Sequence, residues 1–261
     1  MKITIIGAGN LGKSIANGLL KSNMILPNDL TLTKRNYKTL NDYHELGVNI
    51  TVDNKRAVAS ADVVFLCVQP HKLTSVIADI KDVIDEKIII STITGVSLEM
   101  LQQNFSNKTI LFRAMPNTAI AIQESMTCVA TNSTSEKAMT TVANIFSHLG
   151  ESLFIEDDLM GAATVLGASG IAFAMRYVRA SMQAGIEIGF ESDDSQRIAA
   201  QTIKGAMELL LNNNSHPESE IDKVTTPLGI TITGLNKMEQ AGFSASLVQG
   251  IRASYEKIKK V

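Results

Sequence analysis

A glycine spacing near the start limits the fold of this chain more than any other feature. Ile3-Thr4-Ile5-Ile6 is a β-branched apolar run that gives way to Gly7-Ala8-Gly9-Asn10-Leu11-Gly12, with glycines at the first, third and sixth positions. Leu11, Ile15 and Leu19 then recur every fourth residue, with Ala16 and Leu20 beside them, which is the apolar stripe of a helix. Strand, tight turn and helix in that order read as a dinucleotide-binding turn. Gly7 lets the chain reverse, Gly9 lets backbone approach a pyrophosphate, and Gly12 lets the helix lie close to the strand. Free N–H groups at the helix start face the anion, so Gly7, Gly9, Asn10, Leu11 and Gly12 are the first candidate cofactor residues.

The strands that follow fix the rest of this half. Leu30-Thr31-Leu32-Thr33 ends in Lys34-Arg35-Asn36. An NAD site carries an acid at this strand end for the ribose 2′-hydroxyl, whereas a 2′-phosphate takes cations and hydroxyls. Thr33, Lys34 and Arg35 fit the phosphate, so the expected cofactor is NADPH, with NADH as the alternative. Residues 48–50 form a weak third strand, and 62–68 form a fourth, stopped by Gln69-Pro70 and apolar enough to be buried on both faces. Residues 87–91 and 110–113 read as a fifth and a sixth strand, and 126–130 and 152–155 as two more, with a helix over 135–149. Such alternation makes an α/β doubly wound parallel sheet, whose ligand lies at the carboxyl ends of the strands. Asn54, Gln69, Thr94 and Asn117 all fall at such ends.

The boundary is expected near residue 156, giving a Rossmann-type domain over 1–156 and an all-α domain over 157–261. Helical stretches are expected over 159–190, 194–213, 231–241 and 244–260. Around Gly170-Ile171-Ala172-Phe173-Ala174-Met175 small and apolar residues go nearly all the way round, so burial is needed on every side. About a hundred residues of helix hardly supply that alone, so a homodimer through this half is expected. Within it, Val224-Thr225-Thr226-Pro227-Leu228-Gly229-Ile230-Thr231 is a hydroxyl-rich loop running into a helix. Its free N–H groups suit a carboxylate and its threonines a nearby polar atom, or else it is a plain N-cap.

Composition narrows the function classes. A net charge of −2 and a pI near 6.1 give no basic field, which argues against nucleic acid and anionic membrane as partners. Cys67 and Cys128 lie inside apolar runs without ligand-spaced neighbours, and His44, His71, His148 and His216 are dispersed. No metal site is expected, and the thiols suit a reducing compartment. The apolar run after Lys2 is too short for a secretory signal. Leu159 to Met175 is uncharged but short of a membrane span, so a cytoplasmic protein is expected.

Taken in order, GAGNLG, FLCVQP, STITG, RAMPNT and VTTPLGITITGLNKME resemble the Δ1-pyrroline-5-carboxylate reductase family. The resemblance implies NADPH-dependent reduction of that cyclic imine to L-proline, the last step of proline biosynthesis. It also implies a helical dimerisation domain, with dimers that often associate into decamers. Residue by residue it places the catalytic threonine on Thr231 and the substrate-carboxylate loop on Thr226, Gly229, Ile230 and Thr231. The cofactor contacts fall on the glycine turn, Thr33 to Arg35, Asn54, Val68, Gln69, Pro70 and Thr94. Where members usually read SPGGTT, Leu228 replaces a glycine, a strained substitution if that position needs a positive φ. Two other readings share the architecture. One is a β-hydroxyacid-dehydrogenase-like or other imine reductase, although no lysine lies between Leu159 and Ala200 to serve as that group's catalytic base. The other is an NADP(H)-binding protein without activity.

Overall fold

A computed structural model describes residues 1–259. The sheet unit begins with β1 (Ile3–Ile6), α1 (Asn10–Lys21), β2 (Leu30–Thr33), α2 (Asn41–Glu45), β3 (Asn49–Thr51) and α3 (Asn54–Ala59). It continues through β4 (Val63–Leu66), α4 (Leu73–Ile80), β5 (Ile88–Ser91), α5 (Leu98–Gln102) and β6 (Ile110–Met115), then β7 (Ser125–Thr131), α6 (Glu136–Ser147) and β8 (Gly150–Phe154). The strands form one sheet in the order β3-β2-β1-β4-β5-β6-β7-β8. The order reverses at β1, the place where sheets of this kind open a crevice for a ligand.

Alternation along each strand explains why both faces are covered. In β4, Val63 and Phe65 join a core with Ile15, Ala16 and Leu19 of α1 and with Val142, Ile145 and Phe146 of α6. Val64 and Leu66 join another with Val76, Ile77 and Ile80 of α4 and with Leu98 and Leu101 of α5. Period-two alternation sends neighbours to opposite faces, and here both faces are apolar because both carry helices. Phe65 meets Phe146 edge to face, with ring centroids 6.2 Å apart.

Two strands, β7 and β8, depart from the all-parallel expectation. β7 runs antiparallel to β6, and β8 then runs parallel to β7. Only residues 116–124, with a 3-10 turn over Thr118–Ile122, join β6 to β7. A parallel return needs a crossover of a dozen residues or more, so this connection is too short for one.

The helical part also differs in detail. The expected helix over 159–190 is a 3-10 turn (Asp157–Leu159), α7 (Met160–Ala163), a π-helical stretch (Thr164–Ser169) and α8 (Gly170–Glu187). After it come α9 (Ser192–Asn213), α10 (Pro217–Lys223), α11 (Ile230–Gln240) and α12 (Phe243–Ile258). α10 occupies a stretch read from sequence as a break: Pro217 sits in its first turn and His216 accepts from the Glu218 N–H. The expected last helix reached residue 260, which lies outside the described residues. By contacts the chain divides into a unit of 1–169 with 255–261 and a unit of 170–254. Asp157–Glu187 is, by length and composition, long and apolar enough to cross a membrane.

Candidate active site

The glycine turn has the geometry its spacing implies. Gly7 has φ +96, and its N–H and that of Ala8 both donate to the Thr33 carbonyl, at 3.1 and 3.0 Å. A Cβ on Gly7 would lie 2.6 Å from the Cys67 carbonyl oxygen, and one on Gly12 would lie 2.5 Å from the Gly7 carbonyl oxygen. No side chain is possible at either position without moving backbone. Gly9 is different: a Cβ there would meet nothing within 4 Å. The space beside Gly9 is therefore open.

α1 has no side-chain cap, and no acid stands in its first turn. The first N–H bonded back to the turn is that of Lys13, to the Gly9 carbonyl at 2.9 Å. The N–H groups of Asn10, Leu11 and Gly12 find no acceptor among the described residues. Such a helix start attracts an anion through its free donors and its dipole. The open Gly9 and these free donors fit a pyrophosphate.

At the end of β2, buried Thr33 donates its hydroxyl to Asn54 Oδ1 at 2.7 Å, and Asn54 donates in turn to Asp79 at 3.2 Å. Asn54 opens α3, whose N-cap Asp53 accepts from the Arg56 N–H. This network locks the end of β2 to the start of α3. Lys34 is half-buried and Arg35 exposed, and neither is paired with a carboxylate among the described residues. Two unpaired cations beside a fixed hydroxyl are a donor set whose chemistry suits a phosphate.

Half-buried Val68 and exposed Gln69 and Pro70 leave β4 beside the glycine turn, whose approach is set by Cys67 N–H donating to the Ile6 carbonyl at 2.8 Å. Cys67 is half-buried as a residue, yet burial pushes its thiol up to about 12 against a smaller opposing effect of the Thr92 hydroxyl. It is a packing thiol, not a nucleophile. Thr94 is half-buried in the turn after β5, before Gly95 at φ +79. Asn117 is engaged internally: its Oδ1 accepts from the Ala119 N–H at 2.9 Å and its Nδ2 donates to the Gly167 carbonyl at 3.3 Å. It fastens the end of β6 to the π-helical stretch.

The loop before α11 is ordered around Gly229, whose N–H donates to the Thr226 carbonyl at 2.9 Å. A Cβ on Gly229 would lie 2.6 Å from Thr226 Oγ1. Because that N–H is taken, the free donors begin at Ile230. Ile230, Thr231 and Ile232 find no acceptor for theirs, and no side chain caps the helix. The hydroxyls of Thr225 and Thr233 are occupied by backbone carbonyls, whereas exposed Thr226 and Thr231 keep theirs free among the described residues. Leu228 has φ +57, which for a leucine costs on the order of 1–3 kcal/mol.

The structure thus gathers Gly7 to Gly12, Thr33 to Arg35, Asn54, Val68 to Pro70, Thr94 and Asn117 at the carboxyl ends of adjacent strands of one sheet. Thr226 to Thr231 belong to the other unit. Sequence reasoning missed the ion pair of buried Arg113 with half-buried Asp157, whose carboxylate also accepts from the Leu98 N–H at 3.0 Å. It ties β6 and the start of α5 to the first turn of the helical run. The partners are 44 residues apart, and no local pattern announces them. Among the described residues no three His, Cys, Asp or Glu side chains converge as metal ligands.

Comparison with known proteins bears on both halves. Residues 157–261 match the family described as pyrroline-5-carboxylate reductase dimerisation, and residues 2–95 that described as NADP oxidoreductase, coenzyme F420-dependent. The chain is 45% identical to pyrroline-5-carboxylate reductase 1 of Dictyostelium discoideum over 98% of this chain, spanning 49% of that longer protein. It is 40% identical to pyrroline-5-carboxylate reductase 2 of the same organism, over 99% of this chain and 92% of the relative. In fold it is similar to the crystal structure of Plasmodium falciparum pyrroline carboxylate reductase with NADP bound, with a TM-score of 0.89 at 24% identity, over 100% of this chain and 97% of that one.

Proposed function

This chain belongs to the pyrroline-5-carboxylate reductase family, and from that premise we propose that it reduces Δ1-pyrroline-5-carboxylate to L-proline with NADPH, the final step of proline biosynthesis. The observation that carries the reading is a pair of uncapped helix starts. One, at α1, stands behind an open glycine; the other, at α11, stands beside two free threonine hydroxyls.

Bound NADPH supplies the hydride, so the protein's own work is to bind, orient and exclude water. The turn from Gly7 to Gly12 holds the pyrophosphate, and Thr33, Lys34 and Arg35 hold the 2′-phosphate. Asn54 acts by fixing Thr33. Val68, Gln69, Pro70 and Thr94, at the carboxyl ends of β4 and β5, would hold the nicotinamide half, while Asn117 fastens the end of β6 to the π-helical stretch. The N–H groups of Ile230 and Thr231 hold the substrate carboxylate, with Gly229 and Thr226 keeping the loop closed enough to present them. The Thr231 hydroxyl oxygen accepts a hydrogen bond from the protonated ring nitrogen. That nitrogen carries a proton, which makes the neighbouring carbon electrophilic enough to accept hydride.

The helical half forms a homodimer, and decamers are the higher assembly we propose. No apolar residue from Gly170 to Ser254 is buried within the chain, while Ile188, Phe190, Leu209 and Leu211 are exposed. A second copy covers such a surface, and that also accounts for the apolar run Asp157–Glu187 without a bilayer. We place the functional division near residue 156 and the protein in the cytoplasm.

The test is NADPH absorbance on adding Δ1-pyrroline-5-carboxylate. Loss of absorbance matched by L-proline formation is expected. Oxidation only with a different imine would favour another imine reductase of this architecture. NADPH binding without oxidation would favour a binding protein, the reading to which the strained Leu228 lends weight.

A further inference from the structure

Lys13 joins the two elements assigned to the cofactor's phosphates. Its N–H makes the first bond back to the glycine turn, to the Gly9 carbonyl at 2.9 Å, so the turn sets its backbone position. Its side chain reaches elsewhere: Nζ donates to the Thr39 carbonyl at 2.8 Å and stands 5.8 Å from the centre of the Tyr43 ring. Thr39 is 26 residues away, in the 3-10 turn Tyr37–Leu40 that follows Lys34 and Arg35. No carboxylate draws the ammonium there, since Lys13 forms no ion pair among the described residues. Holding a lysine in one geometry costs side-chain entropy that a freely solvated one keeps.

The segment carrying the two cations has little else to hold it. At one end the Lys34 N–H donates to the Thr51 carbonyl at 3.3 Å, and Arg35 makes no hydrogen bond among the described residues. At the other end the Asn36 carbonyl accepts from the Thr39 hydroxyl at 3.1 Å, and Thr39 is the residue that Lys13 grips. A short chain of contacts therefore runs from α1 through Lys13, Thr39 and Asn36 to Arg35. The next helix has its own fastening: buried Tyr43 of α2 donates its hydroxyl to Asn17 Oδ1 of α1 at 2.7 Å. Loss of the Lys13 contact thus frees the cation segment without detaching α2.

We propose that Lys13 is a positioning residue that fixes the span from the glycine turn to Lys34 and Arg35, and so sets the preference for NADPH over NADH. The inference rests on the cofactor reading above, in which the turn holds the pyrophosphate and the two cations hold the 2′-phosphate. NADPH makes both contacts at once, so its affinity depends on their spacing. NADH has no 2′-phosphate and is indifferent to where the cations stand. Lys13 acts through Thr39 and Asn36, ordering the cations before the cofactor arrives and so lowering the ordering cost of binding.

The test measures dissociation constants for NADPH and NADH by fluorescence titration of the native protein, Lys13→Met and Lys13→Arg, each at full length. Methionine keeps an unbranched stem and removes the donor, whereas arginine restores a cationic donor. A hydrogen bond from a charged donor is worth roughly a factor of ten or more in affinity. Lys13→Met should therefore weaken NADPH binding about tenfold and leave NADH binding within about twofold of native, and Lys13→Arg should recover most of the loss. Unchanged NADPH affinity in Lys13→Met overturns the inference. So do equal losses for both cofactors, which would make Lys13 a support of the pyrophosphate turn or of the fold as a whole. Salt separates positioning from charge: the gap between native and Lys13→Met should persist at high ionic strength, where a through-space attraction is screened. A gap that disappears there overturns the inference. The double variant Lys34→Ser with Arg35→Ser tells this failure from that of the cofactor reading. If it keeps the native preference for NADPH, the 2′-phosphate reading falls and this inference with it. If it loses that preference while Lys13→Met keeps it, this inference falls alone.

Discussion

The sheet unit and the helical unit handle their apolar residues in opposite ways. In the sheet unit β1 and β4 are buried at every position, and helices pack against both faces. In the unit from 170 to 254 only Ser195 is buried, while leucines, isoleucines and two phenylalanines stand in the open. One unit carries its own core; the other exposes apolar surface of the kind that a second chain covers in a homo-oligomer. The same contrast runs through the two candidate binding elements. Gly7 to Gly12 is held by backbone contacts to Thr33 and Cys67 and is preformed. The loop from Thr226 to Thr231 is closed by one internal hydrogen bond, and the Thr226 and Thr231 hydroxyls are exposed.

If that contrast is real, substitutions in the two units should fail differently. The largest effect belongs to Gly7→Val, which puts a side chain onto the Cys67 carbonyl at a positive φ. It should destabilise the sheet unit by about 3 kcal/mol and weaken NADPH binding at least 100-fold, read by denaturant melts and by fluorescence titration. Retained NADPH affinity would separate the turn from the cofactor. Thr231→Ala should do the reverse, lowering turnover by roughly 10–100-fold while NADPH affinity and stability stay native. Unchanged turnover would remove Thr231 from the mechanism.

A smaller effect concerns cofactor choice. Replacing Lys34 and Arg35 together by serine should shift the preference for NADPH over NADH by about tenfold, with L-proline formation from either cofactor still measurable. Equal losses with both cofactors would mean that the two cations do not read the 2′-phosphate. The smallest effect reports on the closed core. Burial raises the Cys67 thiol from 9.0 to about 12, so the folded chain keeps a proton that the unfolded chain releases. Its contribution to stability is complete below pH 9 and is lost as pH rises towards 12. At pH 8 the thiol should alkylate more than about 100-fold more slowly in the native protein than in denaturant; comparable rates would mean that the sheet unit opens readily.

The contrast also explains what could be read from sequence. Wherever a unit satisfies itself locally, its pattern is legible: the glycine spacing, the runs at β4 and β5, and the helix start at Gly229 all stand where periodicity and capping put them. The direction of β7 was legible too, in the shortness of residues 116–124, but strand alternation alone did not weigh it. The missed features depend on pairs distant in sequence. Arg113 with Asp157, and Thr33 with Asn54, lie 44 and 21 residues apart. The π-helical break at Thr164–Ser169 lies in an apolar run that reads equally well as continuous helix, and Pro217 reads as a breaker although it opens α10. At Leu228 the sequence raised a question about backbone strain, and φ +57 answers it.

The central claim is that the helical half is completed only by a second copy of the chain. Light scattering on the full-length protein at micromolar concentration tests it most directly. The account predicts a mass of at least twice 28.1 kDa, held through dilution to the lowest measurable concentration. A stable, folded, monodisperse species of 28.1 kDa would contradict it.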